Sequence, residues 1–149
     1  MSDCELVLRF FALEQANGSA TKQKMNQFMC KHRDASPETL NEFKYCFRNR
    51  LKLATEIFEE LTFKAREHDK RKTADWKLRK QIYDAKMIAL KDFTSHEKQL
   101  VTNRKKIQKF YVDCFKNEEF YKIMIAQHST RKNMAESVKM MTEILKSGL

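Results

Sequence analysis

Three clusters of basic side chains lie between residues 61 and 109, and their residue types and spacing could bind phosphate groups. They consist of Lys70, Arg71 and Lys72, then Lys77, Arg79 and Lys80, and finally Arg104, Lys105, Lys106 and Lys109. Because such side chains neutralise phosphates, a surface that gathered them could bind DNA or RNA without reading its sequence. The alternative interpretation is that they coat the exposed faces of helices, as lysine and arginine commonly do.

The excess positive charge of the chain lies in this same segment. Residues 61–109 carry fifteen Lys and Arg against six Asp and Glu, a net charge of +9. Residues 1–60 carry nine of each kind, and residues 110–149 carry six basic and five acidic residues. The asymmetry favours an interaction at the basic segment. It leaves open nucleic-acid binding, a protein partner and a merely solvated surface.

Trp76 lies between the first two basic clusters, and its indole ring has two possible roles. In a nucleic-acid interface it could stack on a base. With Leu78 and Ile82 close by in the sequence, an anchor in the hydrophobic core is the favoured interpretation.

The sequence indicates no catalytic centre, cofactor site or metal site. Phosphate-binding loops, dinucleotide-binding turns and nucleophile elbows need glycines at fixed offsets, and this chain has only Gly18 and Gly148. Adjacent carboxylates at 59–60 and 118–119 diverge on a helix and are interpreted as solvated or first-turn charges. The histidines lie far apart without a second ligand at helical metal-site spacing; they are His32, His68, His96 and His128. We therefore expect no enzyme activity and no cofactor.

The elements that must position the basic clusters are predicted to be helices. Two glycines and one proline are few for a chain of 149 residues, and sheets need turns that these residues usually form. A hydrophobic content of 42% is ample for a core. We predict an all-α protein in which residues 1–149 form one compact domain of about seven mostly antiparallel helices.

Capping residues and apolar spacing place the seven helices along the chain. Their predicted starts are Ser2, residue 21, Ser36 before Pro37, Thr73, Thr94, Asn117 and Ser129. Apolar residues from Leu40 to Leu61 recur every three or four positions, which predicts a third helix of about 25 residues. If the fourth and fifth helices are antiparallel, the three basic clusters converge at one end of the domain.

The remaining composition points to a cytoplasmic protein. No apolar run approaches the roughly 18 residues that span a bilayer, and the N-terminus lacks the features of a signal peptide. The cysteines show neither metal-ligand spacing nor a C-x-x-C pair; they are Cys4, Cys30, Cys46 and Cys114. We expect them to be reduced, buried thiols.

The first predicted helix is unusually apolar. In the run Glu5–Leu13 only Glu5 and Arg9 are polar, and they lie one helical turn apart. Helices that are apolar almost all round are normally buried from several sides. The run therefore predicts an apolar face that either packs inward or binds a protein partner; it comprises Leu6, Phe10 and Leu13.

The same run carries a resemblance to a known family. Glu5–Leu13 resembles the E-L-V-L-R-F-F-A helix of the ParB-like family with an Asp-Gly-Gln-Arg motif, which includes the GmrS half of GmrSD-type restriction systems. Met25–Met29 is similar to that family's F-L-N-x-F-M element. The segment Trp76–Leu90, which contains Ile82–Ala85, is similar to its F-N-x-x-L-F-D-A helix, and the segment around Ser129 to its closing region.

This resemblance implies the C-terminal helical half of a nucleotide-using protein that acts on DNA in bacterial defence. In that family the activity belongs to the N-terminal half with the Asp-Gly-Gln-Arg motif, which this chain lacks. No catalytic residue is carried over. We therefore expect a non-catalytic helical domain that binds a protein partner, which would supply the missing half. The alternatives are a nucleic-acid-binding module formed by residues 61–109 and a fragment of a nucleotide-dependent, DNA-directed enzyme without its catalytic half.

Overall fold

A computed structural model describes residues 3–16, 21–66, 76–126 and 131–149. Eight α-helices lie within these ranges. They are α1 (Asp3–Ala16), α2 (Lys22–Lys31), α3 (Pro37–Phe58), α4 (Lys80–Ala89), α5 (Glu97–Thr102), α6 (Arg104–Cys114), α7 (Glu118–Tyr121) and α8 (Arg131–Lys146). Helix α3 continues into a 3₁₀ turn, a second 3₁₀ segment joins α4 to α5, and a π-helical segment (Lys122–Ala126) follows α7. The prediction of an all-α domain is confirmed.

Several helix starts follow the predicted capping chemistry. The Ser36 hydroxyl accepts a hydrogen bond from the Thr39 amide at 3.3 Å, and Pro37 is the first residue of α3. The Asn117 side chain accepts from the Phe120 amide at 3.0 Å at the start of α7. These caps satisfy amide groups that a helix leaves without an internal partner. The predicted caps Ser2, Thr73 and Ser129 lie outside the described residues.

The predicted fifth helix is wrong in its start and its continuity. Thr94 does not cap it, because Thr94 lies within the 3₁₀ segment Leu90–His96, where its hydroxyl donates to the Lys91 carbonyl. The helix is then divided at Asn103 into α5 and α6. The Asn103 amide group donates to the carbonyl of Gly148 at 2.7 Å, so a contact with the C-terminal end of the chain accompanies the break.

The fourth predicted helix is wrong over its first turns, which form a strand. Strand β2 (Trp76–Leu78) pairs antiparallel with β1 (Lys64–Arg66), with Ala65 opposite Lys77. Beyond the pair, the Arg79 amide donates to the Phe63 carbonyl at 3.0 Å, and α4 begins at the next residue. Backbone pairing with a segment more than ten residues earlier thus outweighs the local preference for a helix.

Helix α4 is the centre of the fold. Seven of its ten residues are buried, and it packs against α1, α3 and α8. Ile82 and Ala85 belong to the larger core cluster, which also includes residues of α3, α6 and α8. Tyr83 and Met87 belong to a second cluster with Phe10 and other aromatic rings of α1 to α3. Helices buried on most faces are expected at the middle of a fold.

Two buried side chains of opposite charge join α1 to α4. The Arg9 guanidinium donates from Nε to Asp84 Oδ1 at 2.7 Å and from Nη2 to Asp84 Oδ2. Burial lowers the pKa of Arg9, but hydrogen bonds to Asp84 and its charge outweigh this effect and raise it overall. Burial raises the pKa of Asp84, against the opposing influence of Arg9. Each group depends on the other, because an unpaired charge inside a protein is costly.

A fully buried lysine lies one residue further along α4. Lys86 Nζ donates to the Leu61 carbonyl at 2.8 Å. It also lies 3.5 Å from the centroid of the Phe58 ring and 4.0 Å from that of Tyr111. Burial lowers the pKa of Lys86 well below its ordinary value, while the aromatic faces favour the charged form. The amine thereby connects α4 to the end of α3 and to α6.

Removal of the buried carboxylate should strongly destabilise the protein. We expect Asp84→Ala to lower the free energy of unfolding by about 3–5 kcal/mol, because Arg9 is then left buried without its partner. The control is Asp113→Ala, which removes an exposed pair with Lys116 and should change stability by less than about 1 kcal/mol. Urea denaturation measures both. Equal losses in the two variants would contradict the importance of the buried pair.

Candidate partner-binding groove

An open cavity of about 410 Å³ lies between α6, the segment that includes α7, and α8. A neighbouring cavity of about 220 Å³ shares Cys114, Glu119, Phe120 and Met140 with it. We call the two cavities together the α6–α8 groove. Its apolar lining consists of Phe110, Cys114, Phe120, Ile123, Met140 and Ile144. Its polar rim consists of Asn117, Glu119, Glu136, Lys139 and Glu143.

The groove forms because α6 and α8 carry more apolar residues than the core uses. On α6, Ile107 and Tyr111 are buried in the core, whereas Phe110 and Cys114 lie beside this stripe and line the groove. Met140 occupies the corresponding position on α8, next to core residues of that helix. Residues four apart lie one above the other on a helix, so each wall presents a short apolar row.

Phe110 is the most exposed aromatic residue of this groove. Its side chain is 43% exposed, although its neighbour Tyr111 is fully buried. The π-helical segment at one end of the groove contributes Ile123. Such segments are rare and are frequent at functional sites. Exposed apolar side chains with a polar rim are typical of binding surfaces.

The rim of the groove is acidic, in contrast with a chain of net charge +10. Glu143 is paired with Lys146 at 2.8 Å. Glu119 and Glu136 form no ion pair with any residue of the ranges described above, and Lys139 is the cation that lines the groove beside them. This charge distribution attracts cations and repels phosphates.

The thiol in the groove is suited to packing rather than to nucleophilic chemistry. Cys114 is half-buried, and burial raises the pKa of its thiol, with a further contribution from the charge of Asp113. The thiolate is the reactive form of cysteine. Cys114 is therefore a protonated, apolar group at neutral pH, and the groove can bind a ligand without reacting with it.

The basic-cluster residues that the structure describes form ion pairs with different elements of the fold. Lys80 pairs with Glu5 of α1 at 2.7 Å. Arg104 and Lys105 pair with Glu59 after α3, at 2.9 and 3.0 Å. Among the remaining described members, Lys77, Lys106 and Lys109 are exposed and Arg79 is half-buried. The cluster Lys70–Lys72 lies outside the described residues.

The division of the predicted fifth helix also changes the geometry assumed for these clusters. The third cluster was expected past the middle of that helix, but it occupies the first turns of α6. Convergence of the three clusters at one end of the domain stays a prediction. Nucleic-acid binding by the clusters stays a prediction.

Glu59 is a functional candidate that the sequence analysis interpreted only as a solvated or first-turn charge. Its carboxylate accepts hydrogen bonds from Lys105 and Arg104. The pKa of Glu59 is lowered to about 2, most by Lys105, then by Arg104 and then by Gln108. Its backbone has a φ of +48°, which is unfavourable for residues other than glycine. Such conformations persist where surrounding contacts hold them in place.

The apolar residues of the first helix pack inward. Phe10 and Leu13 are 1% and 3% exposed. Leu6 is half-buried against the second cluster, and its carbonyl accepts a hydrogen bond from the Tyr83 hydroxyl at 2.8 Å. Of the two alternatives for this face, inward packing is the one found for Phe10 and Leu13, while Leu6 keeps part of its surface exposed.

Trp76 packs on the core, as the favoured interpretation of this residue expected. Its ring centroid lies 6.0 Å from that of Tyr111 and 5.6 Å from that of Phe115. The indole is half-buried in this position on strand β2.

The groove is a site that was not predicted from the sequence. Its signal is a second apolar row next to the core stripe, formed by Phe110 and Cys114 on α6 and by Met140 on α8. On a single helix this row cannot be distinguished from a broad core-facing stripe. Only the packing of the helices separates the residues that enter the core from those that remain at its edge.

All four cysteines are free thiols. The expectation that they are buried is wrong for Cys4 and Cys30, which are exposed, while Cys46 and Cys114 are half-buried. Among the described residues, no group of three or more His, Cys, Asp and Glu side chains could hold a metal ion. Nor does any helix in those ranges have the length and apolar character needed to cross a membrane.

Comparison of the chain with protein-family models, with curated proteins and with solved structures finds no match. The resemblance to the ParB-like family therefore depends on the sequence segments that carry it.

The Glu59 carboxylate should contribute to stability in a pH-dependent way. Because its pKa is lowered from 4.5 to about 2, the contribution is complete above pH 4.5 and is lost as the pH falls towards 2. We expect Glu59→Gln to lower the Tm at neutral pH and to approach the wild type as the solution is acidified. Glu60→Gln, at an exposed neighbour, is the control and should lower the Tm less. A Tm difference that stays constant down to pH 2 would contradict the assignment.

Proposed function

We propose that this chain is a non-catalytic helical domain that acts by binding a protein partner in the α6–α8 groove. The observation that carries the proposal is an apolar groove, with the exposed ring of Phe110 at its edge, bordered by glutamates on a basic chain. Binding sites in proteins are typically concave and mostly apolar, with a few polar groups that determine orientation.

The position of the groove also supports protein binding. It lies between helices whose other faces form the core, so its walls are rigid elements. Preformed surfaces of this kind bind helical segments of partners with little reorganisation. The first helix was the expected partner surface, but Phe10 and Leu13 of that surface are buried in the core of the chain itself. The groove is the exposed apolar alternative.

A relation to the helical half of the ParB-like defence proteins is part of the same proposal. Two segments that carry the resemblance contact each other through the buried pair of Arg9 and Asp84. This contact supports reading the segments as parts of one helical unit. The partner would then supply the Asp-Gly-Gln-Arg half, and a cytoplasmic location belongs to this proposal. A neighbouring reading frame that encodes such a half would support it.

Partner binding should depend on the groove. We expect the chain purified from its own cells to retain a bound partner protein. The Phe110→Asp variant should lose almost all of it, because a charged group replaces the apolar contact at the edge of the groove. The control is Tyr45→Asp, at another exposed helical aromatic residue that is 71% exposed. Quantitative mass spectrometry of the purified complexes measures the loss. Elution of the natural chain at its monomer mass from a cell extract would contradict the proposal.

Nucleic-acid binding is a second candidate function, favoured by a specific group of cations. Lys105, Lys106 and Lys109 are exposed on successive turns of α6, within the segment that carries a net charge of +9. Lys105 retains a largely exposed side chain although it pairs with Glu59. These cations could contact successive phosphates without reading the bases.

A salt titration tests this second candidate. We expect the affinity for duplex DNA, measured by fluorescence anisotropy, to fall at least tenfold between about 50 and 200 mM salt. Replacement of all three α6 lysines by Ala should reduce the slope of that dependence. The matched control replaces three exposed lysines on other helices, namely Lys22, Lys31 and Lys44. Binding that is indifferent to salt, or equally weakened in both variants, would contradict the assignment.

A further inference from the structure

We infer that the partner segment bound in the α6–α8 groove is a cationic amphipathic helix. The inference rests on the proposed function and specifies the chemistry of the partner. Three features of the groove carry it: the helical nature of its walls, the spacing of its apolar residues and the sign of the charge on its rim.

The walls of the groove favour a helical ligand over an extended one. An extended peptide needs a sheet edge with unpaired backbone groups, because its own amides and carbonyls have no internal partners. The long walls of this groove are α-helices, whose backbone groups are already paired along each helix. A bound helix satisfies its own backbone and needs only side-chain contacts from the groove.

The apolar residues have the spacing that a helix recognises. Phe110 and Cys114 lie one turn apart on α6, and Met140 lines the wall formed by α8, one turn before Ile144, which is itself buried in the core. A helix between two others places side chains at positions i, i+3 or i+4, and i+7 into such rows. The larger cavity, of about 410 Å³, can receive apolar side chains of this kind.

The charge of the rim favours a basic ligand. Glu119, Glu136 and Glu143 border the apolar floor together with one lysine, Lys139. Glu143 is already paired with Lys146, so Glu119 and Glu136 are the carboxylates that a ligand would meet. Lys or Arg residues flanking the apolar face of a bound helix would lie against these carboxylates. Complementary charge of this kind accelerates association and excludes partners of the wrong sign, including nucleic acids.

Glu136 adds an independent argument for a cation at this place. Its side chain is half-buried, and it has no ion-pair partner in the ranges that the structure describes. Other acidic residues nearby are neutralised within the chain: Glu118 pairs with Lys122 and Glu143 with Lys146. The Glu136 carboxylate is therefore open to pairing with a cation from a ligand.

A pair of labelled peptides tests the inference on the full chain. The first peptide is a helix of about 15 residues, roughly four turns, with Leu at i, i+4, i+7 and i+11 and Lys at the flanking positions. The second peptide keeps every Leu and replaces each Lys by Glu. Fluorescence anisotropy gives the affinity of each peptide for the wild type, for the double variant Glu119→Lys/Glu136→Lys, and for the control Glu42→Lys at an exposed site on α3.

The expected result is an exchange of specificity. The cationic peptide should bind the wild type and the Glu42→Lys control, and should lose about tenfold in affinity for the double variant. The anionic peptide should bind the double variant better than the wild type. Phe110→Asp should lower the affinity of the cationic peptide at least tenfold, because it removes an apolar contact; if charge alone mattered, the added carboxylate would leave that affinity unchanged or raise it.

Three results would overturn the inference. They are equal binding of the two peptides to the wild type, binding of the cationic peptide that Phe110→Asp leaves unchanged, and no binding of either peptide. Circular dichroism and thermal melting verify that each variant is folded before it is titrated. The complex purified from cells tests the proposed function separately. If Phe110→Asp abolishes that complex but the cationic peptide does not bind, partner binding is supported and the cationic helix is rejected.

Discussion

The buried polar groups of helix α4 constrain the packing of the whole chain. This helix lies at the centre of the fold, yet it carries Asp84 and Lys86, whose charged forms cannot be buried without partners. Arg9 of α1 provides the partner of Asp84 from 75 positions away. The Leu61 carbonyl and the ring of Tyr111 surround the amine of Lys86. Satisfying these two groups therefore positions α1, the end of α3 and α6 around α4.

The α6–α8 groove follows from this packing. Tyr111 enters the core to contact Lys86, and Met141 and Leu145 of α8 enter it from another side. The apolar residues next to them, among them Phe110 and Met140, then lie at the edge of the core and border an open cavity. Because the walls are helices anchored in the core, the shape of the groove depends on the same contacts that stabilise the fold.

Helix α6 carries both kinds of candidate interaction, and they adjoin one another, because Lys106 lies one turn before Phe110 on the same face. Phe110 and Cys114 line the acidic groove, whereas Lys105 pairs with the carboxylate of Glu59. The backbone of Glu59 has a positive φ, which is unfavourable for a residue with a side chain. The two surfaces attract ligands of opposite charge. A nucleic acid bound to the α6 lysines would therefore lie next to a protein segment bound in the groove.

The sequence by itself determined the helical class and several helix starts, because caps such as Ser36 and Asn117 act on amides within three residues. It also indicated that the first helix is buried, because only Glu5 and Arg9 are polar in the run Glu5–Leu13. Only the tertiary structure decided the strand at Trp76–Leu78, the pairing of Arg9 with Asp84 and the existence of the groove. These features join segments far apart in the chain, and no local pattern records which distant residue meets a given side chain.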